Sequence, residues 1–175
     1  VSFEIVDVEL VEQRKPLELP ADYVSRVARD KALAGLSRLV RNKDAIVLGA
    51  DTDVVVDDDV LGKPANSAEA HAMLQRLSGR RHEVLSSVWL VSEIQQLHYT
   101  VATWVTFGAM SDAEINAYIA TGEPFGKAGA YAVQGKAAAF IEKIEGSFSG
   151  VMGLPLHETY RLLCRFGIPF WSSPT

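Results

Sequence analysis

Two short runs of β-branched apolar residues dominate the pattern of hydrophobic and polar positions along this chain. Ile46-Val47-Leu48 forms the first run, and Val54-Val55-Val56 forms the second. Runs of this kind predict buried strands when turn residues bound them. Asp57-Asp58-Asp59 follows directly and predicts a hairpin tip. We therefore expect a strand pair over residues 46–61.

An acidic residue, Asp51, lies between the two apolar runs, and Lys63 follows the second strand of the predicted pair. An isolated buried carboxylate is very costly, so Asp51 must be hydrogen-bonded, paired or metal-bound. The hairpin is expected to bring Asp51 and Lys63 to one rim. The alternative at this point is that Asp51 caps a turn and Lys63 is solvated, since perturbed acids also occur in structural networks.

Alternation and helical spacing predict further elements on both sides of this pair. Asp22 and Ser67 are expected to be helix N-caps, and Ser111 with Glu114 forms a capping-box pattern. The predicted strands cover residues 3–10, 82–91, 97–107 and 140–145, and the predicted helices begin near Pro20, Ser67, Ser111 and Pro155.

Two basic segments outside the strand pair are candidates for binding an anion. Lys31 lies near the edge of the apolar face of the first helix, where a lysine is ordinarily a snorkelling surface residue. Lys127 stands in a glycine-rich segment, in which backbone N–H groups can approach an anion closely. Because the spacing is not that of a Walker P-loop, an ordinary solvated loop remains the alternative.

Composition narrows the class of protein. With 175 residues, 48% hydrophobic and 22% charged, the chain predicts a single globular domain. The net charge of -5 argues against a broad nucleic-acid-binding face. A single cysteine, Cys164, excludes an intramolecular disulfide and a cysteine-rich metal site. Apolar segments are too short to span a bilayer and no signal-peptide pattern is present, so we expect a cytoplasmic protein without membrane or nucleic-acid partners.

Several stretches, in this order, resemble the Maf family of nucleoside-triphosphate pyrophosphatases. The resemblance runs from about residue 3 to residue 168. Any one stretch is common, but the ordered set is specific. The stretches are Leu48-Gly-Ala-Asp-Thr52, Leu61-Gly-Lys-Pro64, Met73-Leu-Gln-Arg-Leu-Ser-Gly79 with His82, Gly122-Glu-Pro124, Lys127-Ala-Gly-Ala-Tyr131, Gln134-Gly135, Gly146-Ser147 and Gly153-Leu-Pro-Leu156.

The resemblance implies an α/β fold of the Maf/ITPase-like kind, with a long twisted mixed sheet, flanking helices and two lobes around a nucleotide cleft. It implies one such domain over residues 1–175, often as a homodimer. The implied reaction is hydrolysis between the α- and β-phosphates, giving a nucleoside monophosphate and pyrophosphate with a divalent cation, Mg²⁺ or Mn²⁺. Thr52 and Gln134-Gly135 match the dTTP/UTP branch, whereas the 7-methyl-GTP branch tends to Ser-Asp-Gln and Glu-Gly.

Site residues follow from the resemblance position by position. Asp51 matches the proton acceptor, and Asp51 with Glu12 is expected to hold the cation through oxygen ligands and to position a water. Thr52 and Gln134 match base-selecting positions. Three lysines match positions around the phosphates, where they would neutralise the triphosphate and the leaving pyrophosphate: Lys31, Lys63 and Lys127.

Three features depart from the family pattern. The N-terminal loop of the Ser-x-Ser-Pro-Arg-Arg type would precede Val1, so we expect the chain as given to be weak or inactive. Ser172-Ser173-Pro174 echoes that loop's text without its arginines and is interpreted as coincidence. Gly126 stands where an acid is frequent, which argues against a metal role there. Asp53 stands where an apolar residue is usual, and the sequence offers no physical reason for it.

Three hypotheses follow. The first is a metal-dependent pyrophosphatase acting on dTTP and UTP, and on modified pyrimidine nucleotides. The second is a nucleotide-binding regulator of cell division or septum formation with little or no turnover. The third is a structural remnant that keeps the fold and binds no nucleotide.

Overall fold

A computed structural model describes residues 1–39 and 44–169 of the chain, so Ser172-Ser173-Pro174 lies outside the described residues. Within these residues no helix is both long and apolar enough to cross a membrane. Two short 3-10 helices, Ala128–Ala130 and Lys136–Phe140, precede the last strand. The remaining elements are α1 Pro20–Arg38, β1 Val47–Val56, β2 Asp59–Leu61, α2 Ser67–Leu77, β3 Arg81–Val91, β4 Gln96–Phe107, α3 Asp112–Ala120, β5 Ile141–Glu145, α4 Phe148–Val151 and α5 Leu156–Arg165.

The strands form one five-stranded sheet in the order β2-β1-β3-β4-β5, with helices on both faces. This confirms the expected α/β class. All four strand pairings are antiparallel, whereas a mixed sheet was expected. The connections explain the difference, because β1 to β2 and β3 to β4 are short hairpins, which join only antiparallel strands.

Side chains alternate between the two faces of the sheet, and this alternation separates the core into clusters. On one face, Val55 and Leu85 pack against α1. On the other face, Val54 and Val84 belong to the largest cluster, together with side chains of α2 and α3. Farther along that second face, a third cluster contains Val88 and Leu90 of β3 with Leu162 and Leu163 of α5.

The predicted hairpin between β1 and β2 is confirmed. Asp57 and Asp58 form a two-residue turn and have φ values of 53° and 63°. Type I′ hairpin turns require positive φ at both positions, and aspartate tolerates that conformation better than most residues. Asp57 also forms an ion pair with Arg80 at 2.6 Å, and Asp59 forms one with Arg76 at 3.0 Å.

Three local predictions at helix and strand ends are wrong. Residues 3–10 form no strand: Phe3 and Ile5 are 81% and 82% exposed, and an extended segment without a neighbouring strand has no ladder partner to stabilise it. Leu19 occupies the N-cap of α1, and Asp22 lies in the first turn instead. Asn66, not Ser67, caps α2 by accepting from the backbone N–H of Glu69.

The capping box at Ser111 is confirmed. Its hydroxyl accepts from the backbone N–H of Glu114, and the Glu114 carboxylate accepts from the Ser111 backbone N–H at 2.8 Å. One short helix, α4, was not predicted. Ser147 caps it through the backbone N–H of Gly150.

Gly49 of β1 is where helix α1 crosses closest to the sheet. A Cβ atom there would lie 2.6 Å from the backbone nitrogen of Ala32 and even nearer the carbonyl oxygen of Ala28. Real Cβ atoms are not found at such distances from backbone atoms, so only glycine permits this approach. The close crossing places the middle of α1, including Lys31, over β1.

We expect Gly49→Ala to destabilise the protein by about 3 kcal/mol, because the added methyl overpacks backbone against backbone. Urea denaturation followed by circular dichroism measures this. Gly62→Ala is the matched control, since a Cβ at Gly62 meets nothing within 4 Å. An equal effect of the two substitutions would show that the helix is not held against β1 at Gly49.

Candidate active site

Lys31 of α1 lies between two carboxylates. Its ammonium nitrogen is 2.7 Å from Oδ1 of Asp51 and 2.8 Å from Oε1 of Glu12. Asp51 is only 9% exposed, Lys31 is half-buried, and Glu12 is exposed. The structure thus brings together three residues that are far apart in the sequence, and Lys31 is not the solvated surface lysine of the alternative interpretation.

Burial and charge act against each other in this cluster. Burial raises the pKa of Asp51, while the hydrogen bond from Lys31 opposes the rise. Burial alone lowers the pKa of the Lys31 ammonium, but its hydrogen bonds to Asp51 and Glu12 outweigh that effect and raise it. Asp51 is therefore a carboxylate of increased basicity that stays hydrogen-bonded to a cation.

A cavity of about 620 Å³ lies beside this cluster. This volume is in the range of small-molecule sites. Lys63 lines it together with Glu12, so these two predicted residues share one surface. Asp51 does not line the cavity itself, but Asp53, which points to the same face of β1, does. The other residues lining it are Gln13, Arg14, Tyr23, Asp59, Val60, Leu61, Gly62 and Arg76.

Asp53 now has a structural account that the sequence lacked. It stands two residues after Asp51 in β1, so both side chains lie on the α1 face of the sheet. Burial raises the pKa of Asp53 to about 7, and the negative charges of Asp51 and Glu12 add to the rise. The side-chain carboxylate of Asp53 forms no hydrogen bond or ion pair with any residue that the structure describes.

Thr52 lies on the opposite face of β1 from Asp51. It is half-buried, and its hydroxyl is 2.9 Å from that of Ser86 on β3. β2 pairs only with Val54–Val56, so among the described residues no strand covers the outer edge of 47–53. Along this edge, therefore, no described strand separates the Asp51 face of β1 from the Thr52 face.

The segment carrying Lys127 and Gln134 packs on the Thr52 face of the sheet. Gly129 has a φ of 65° and lies so close to Val54 that a Cβ would be 2.7 Å from the valine side chain. Its backbone N–H donates to the Gly62 carbonyl at 3.1 Å, next to Lys63. Lys127 and Gln134 are exposed, and neither side chain forms a hydrogen bond or ion pair with Asp51, Lys31 or Glu12.

Glu123 holds the turn that presents Gln134. Its carboxylate accepts from the backbone N–H groups of Lys136 and Ala137, at 2.9 and 3.2 Å, and from the Tyr118 hydroxyl at 2.9 Å. Burial opposes ionisation, but these hydrogen bonds outweigh it and lower the pKa of Glu123. The Gly122-Glu-Pro124 motif thus has a structural role in shaping this loop.

Glu12 and Asp51 are the residues suited to hold a divalent cation. Both place a carboxylate oxygen within 2.8 Å of the Lys31 nitrogen, so the two carboxylates lie close together, and hard cations take oxygen ligands. In residues 1–39 and 44–169, no group of three or more acidic, histidine or cysteine side chains is arranged around a metal position. Two carboxylates fit a cation of the Mg²⁺ type, which binds few protein groups and shares its remaining ligands with phosphate and water.

Sequence reasoning missed four residues at this site. Asp53, Arg14 and Arg76 line the cavity, and Ser86 contacts Thr52. Strand alternation was a usable signal for Asp53, because it stands two residues from Asp51 in the same run. Nothing in the sequence marked the other three, since their placement depends on the hairpin and on the pairing of β1 with β3.

We expect Asp53 to make stability depend on pH when divalent cations are chelated. Its folded pKa of about 7 lies above that of the unfolded chain, so the folded state binds the extra proton and loses stability as pH rises from about 4 to 7. Asp53→Asn removes this loss. The free energy of unfolding of the variant should therefore rise relative to that of wild type between pH 5 and pH 8. Allowing for partial exposure, we expect this difference to grow by about 2 kcal/mol, measured by urea denaturation.

Asp58→Asn makes the same chemical change at the exposed hairpin tip and serves as the control. It should leave the pH dependence unchanged. A wild-type pH profile parallel to that of Asp53→Asn would show that Asp53 is not perturbed.

Comparison with known proteins agrees with this architecture. The family model described as Maf-like protein matches residues 1–166. A protein of Xanthomonas oryzae pv. oryzae named dTTP/UTP pyrophosphatase is 51% identical over 169 residues, covering 95% of this chain and 89% of the relative. A protein of the same name from Hahella chejuensis is 48% identical over 171 residues, covering 98% of this chain and 85% of the relative.

A third relative, from Xylella fastidiosa, is named nucleoside triphosphate pyrophosphatase. It is 48% identical over 170 residues, covering 95% of this chain and 88% of the relative. The family match spans nearly the whole chain, and the relatives are covered over most of their length. The resemblance noted in the sequence is therefore confirmed, and the chain belongs to the Maf-like protein family.

Proposed function

We propose that this chain is a nucleoside-triphosphate pyrophosphatase that hydrolyses dTTP and UTP to the monophosphate and pyrophosphate. One observation carries the proposal: Lys31 joins the buried Asp51 to Glu12 beside a cavity that Lys63 lines. An activated carboxylate next to ammonium groups is what water attack on a phosphoric anhydride requires. The names of the relatives agree with this activity.

Asp51 acts as the proton acceptor. A water attacks the α-phosphorus and transfers a proton to the Asp51 carboxylate, while the bond from the α-phosphorus to the bridging oxygen breaks and pyrophosphate leaves. Burial makes Asp51 a better base than an exposed aspartate, and Lys31 keeps it oriented. Lys31 and Lys63 offset the negative charge that grows on the leaving pyrophosphate.

The base end of the nucleotide lies on the other face of β1. Thr52 and Gln134 contact the pyrimidine edge there, and Lys127 contacts phosphate from the same loop. The bond from Gly129 to Gly62 keeps this loop next to Lys63, which supports a continuous path from base to phosphates. The substrate then spans the uncovered edge of β1.

Glu12 and Asp51 would hold the divalent cation, Mg²⁺ or Mn²⁺. When bound there, it would supply neutralisation of the phosphate charge and polarisation of the attacking water. Further parts of the proposal are a cytoplasmic homodimer, a single domain over residues 1–175, and modified pyrimidine nucleotides as additional substrates. Gel filtration with light scattering tests the dimer.

The proposal is tested by pyrophosphate release from the eight common ribo- and deoxyribonucleoside triphosphates with Mg²⁺ or Mn²⁺. We expect UTP and dTTP to be the best substrates and chelation to abolish turnover. The assay is run on this chain and on the chain extended by a loop of the Ser-x-Ser-Pro-Arg-Arg type. Nucleotide binding without turnover in both forms would contradict the enzyme and favour the regulator, and intact fold without binding would favour the remnant.

We expect Asp51→Asn to lower kcat for UTP by roughly 10²- to 10⁴-fold, because a neutral amide accepts no proton, and to raise the cation concentration needed for turnover, because Asp51 is also a proposed cation ligand. Asp58→Asn is the matched control, since it makes the same change on the exposed hairpin tip. Circular dichroism checks that both variants keep the fold. Equal activity losses in the two variants would remove Asp51 from the proton-acceptor role.

A further inference from the structure

Ser86 of β3 is a buried polar side chain with two hydrogen-bond neighbours. It is 1% exposed and stands directly opposite Thr52 in the pairing of β1 with β3. Its hydroxyl oxygen is 2.9 Å from that of Thr52 and 2.6 Å from the backbone carbonyl oxygen of Gly150 in α4.

Counting protons assigns the donor in each of these bonds. A carbonyl oxygen only accepts, so the single hydroxyl proton of Ser86 is donated to Gly150. Ser86 then has only lone pairs left for its other neighbour, and the Thr52 hydroxyl must donate to Ser86. The Thr52 proton is used inside the protein, and what the Thr52 oxygen offers to a ligand is acceptor capacity alone.

The acceptor that fixes this arrangement is rigid. Gly150 is buried and belongs to α4, and its own N–H donates to the Ser147 hydroxyl that caps this helix at 3.0 Å. The Thr52–Ser86 pair also lies between two apolar clusters on its face of the sheet. Val54 and Val84 lie toward one side, and Val88 and Leu90 toward the other. The Thr52 hydroxyl is therefore held in one orientation and does not rotate freely to suit either a donor or an acceptor on a ligand.

We propose that Ser86 is a positioning residue that fixes Thr52 as a hydrogen-bond acceptor, so that the site selects pyrimidines carrying a ring N–H. This inference rests on the proposed function, in which Thr52 faces the base. Uracil and thymine carry a hydrogen on N3, whereas N3 of cytosine is a lone-pair acceptor. Thr52 therefore accepts a hydrogen bond from N3 of uracil or thymine. With cytosine, two acceptors face each other and a buried polar group is left unpaired, so this base is disfavoured.

The test compares kcat/KM for UTP, dTTP and CTP in wild type, Ser86→Ala, Ser86→Thr and Ser87→Ala. In Ser86→Ala the Thr52 hydroxyl is free to turn and donate to cytosine. We expect the preference for UTP over CTP to fall about tenfold, the scale of one hydrogen bond, while the ratio of dTTP to UTP stays unchanged. Ser86→Thr keeps a hydroxyl and should keep the preference.

Ser87→Ala is the matched control, because Ser87 is also fully buried and hydrogen-bonded but points to the other face of β3. General loosening of the fold would affect all substrates alike in both alanine variants. An unchanged ratio of UTP to CTP in folded Ser86→Ala would overturn the inference. If Ser86→Ala does not fold, Thr52→Val decides, since it must lose the same preference.

Failure of the proposed function gives a different result. If wild type releases no pyrophosphate, binding of α,β-methylene UTP and CTP by calorimetry replaces turnover in the same set of variants. A preference for the uracil analogue that disappears in Ser86→Ala supports the positioning role even without catalysis. Equal binding of the two analogues by wild type overturns it.

Discussion

The contact between the Lys31 ammonium and the Asp51 carboxylate is the interaction on which the site depends. Asp51 is too buried to be ionised without a partner, and Lys31 supplies one only because α1 crosses β1 very closely. Gly49 permits that crossing, since any side chain there would meet the backbone of α1. The need for glycine at position 49 thus decides whether Asp51 has Lys31 as its counter-ion.

The alternation of side chains along β1 places the proposed proton acceptor and the proposed base-contacting residue on opposite faces of the sheet. Asp51 and Asp53 face α1 and the cavity, while Thr52 faces Ser86, α4 and the glycine-rich segment. In the proposed function one substrate reaches both faces, which the fold permits because β2 pairs with only the last three residues of β1. The short length of β2 is therefore as important to the proposed chemistry as the identity of Asp51.

Much of this arrangement was predictable from the sequence, and the failures have common physical causes. Local signals gave the hairpin at Asp57 and the capping box at Ser111 correctly, because each depends on residues close in sequence. The strand at 3–10 failed because a strand needs a neighbour, which local alternation does not supply. Asn66 and Ser67 are both good caps, and only the backbone conformation decides between them.

The site residues divide in the same way. The strand pattern marked Asp51 and the helical pattern marked Lys31, family resemblance gave them roles together with Glu12, and the structure places the three in contact. Their roles, and those of Thr52, Gln134, Lys63 and Lys127, stay predictions that the experiments above test. Ser86 carried no signal in the sequence, since its proposed role depends on two distant contacts. It faces Thr52 across the β1–β3 pair, and it donates to the Gly150 carbonyl of α4.

The charges around the cavity bear on how a triphosphate enters. Glu12, Asp51, Asp53 and Asp59 supply four carboxyl groups, and Lys31, Lys63, Arg14 and Arg76 supply four cationic groups, so the formal charges balance and give a highly anionic ligand no net attraction. Protonation of Asp53 shifts this balance towards positive charge, since its pKa of about 7 leaves it partly neutral near physiological pH. A triphosphate brings more negative charge than these groups offset, and a divalent cation carried with the phosphates would supply the difference, which supports the proposed assignment of Glu12 and Asp51 to that cation. An apolar residue at position 53 would remove one carboxyl group from this set, so the presence of an acid there makes the binding of an anionic ligand depend on pH.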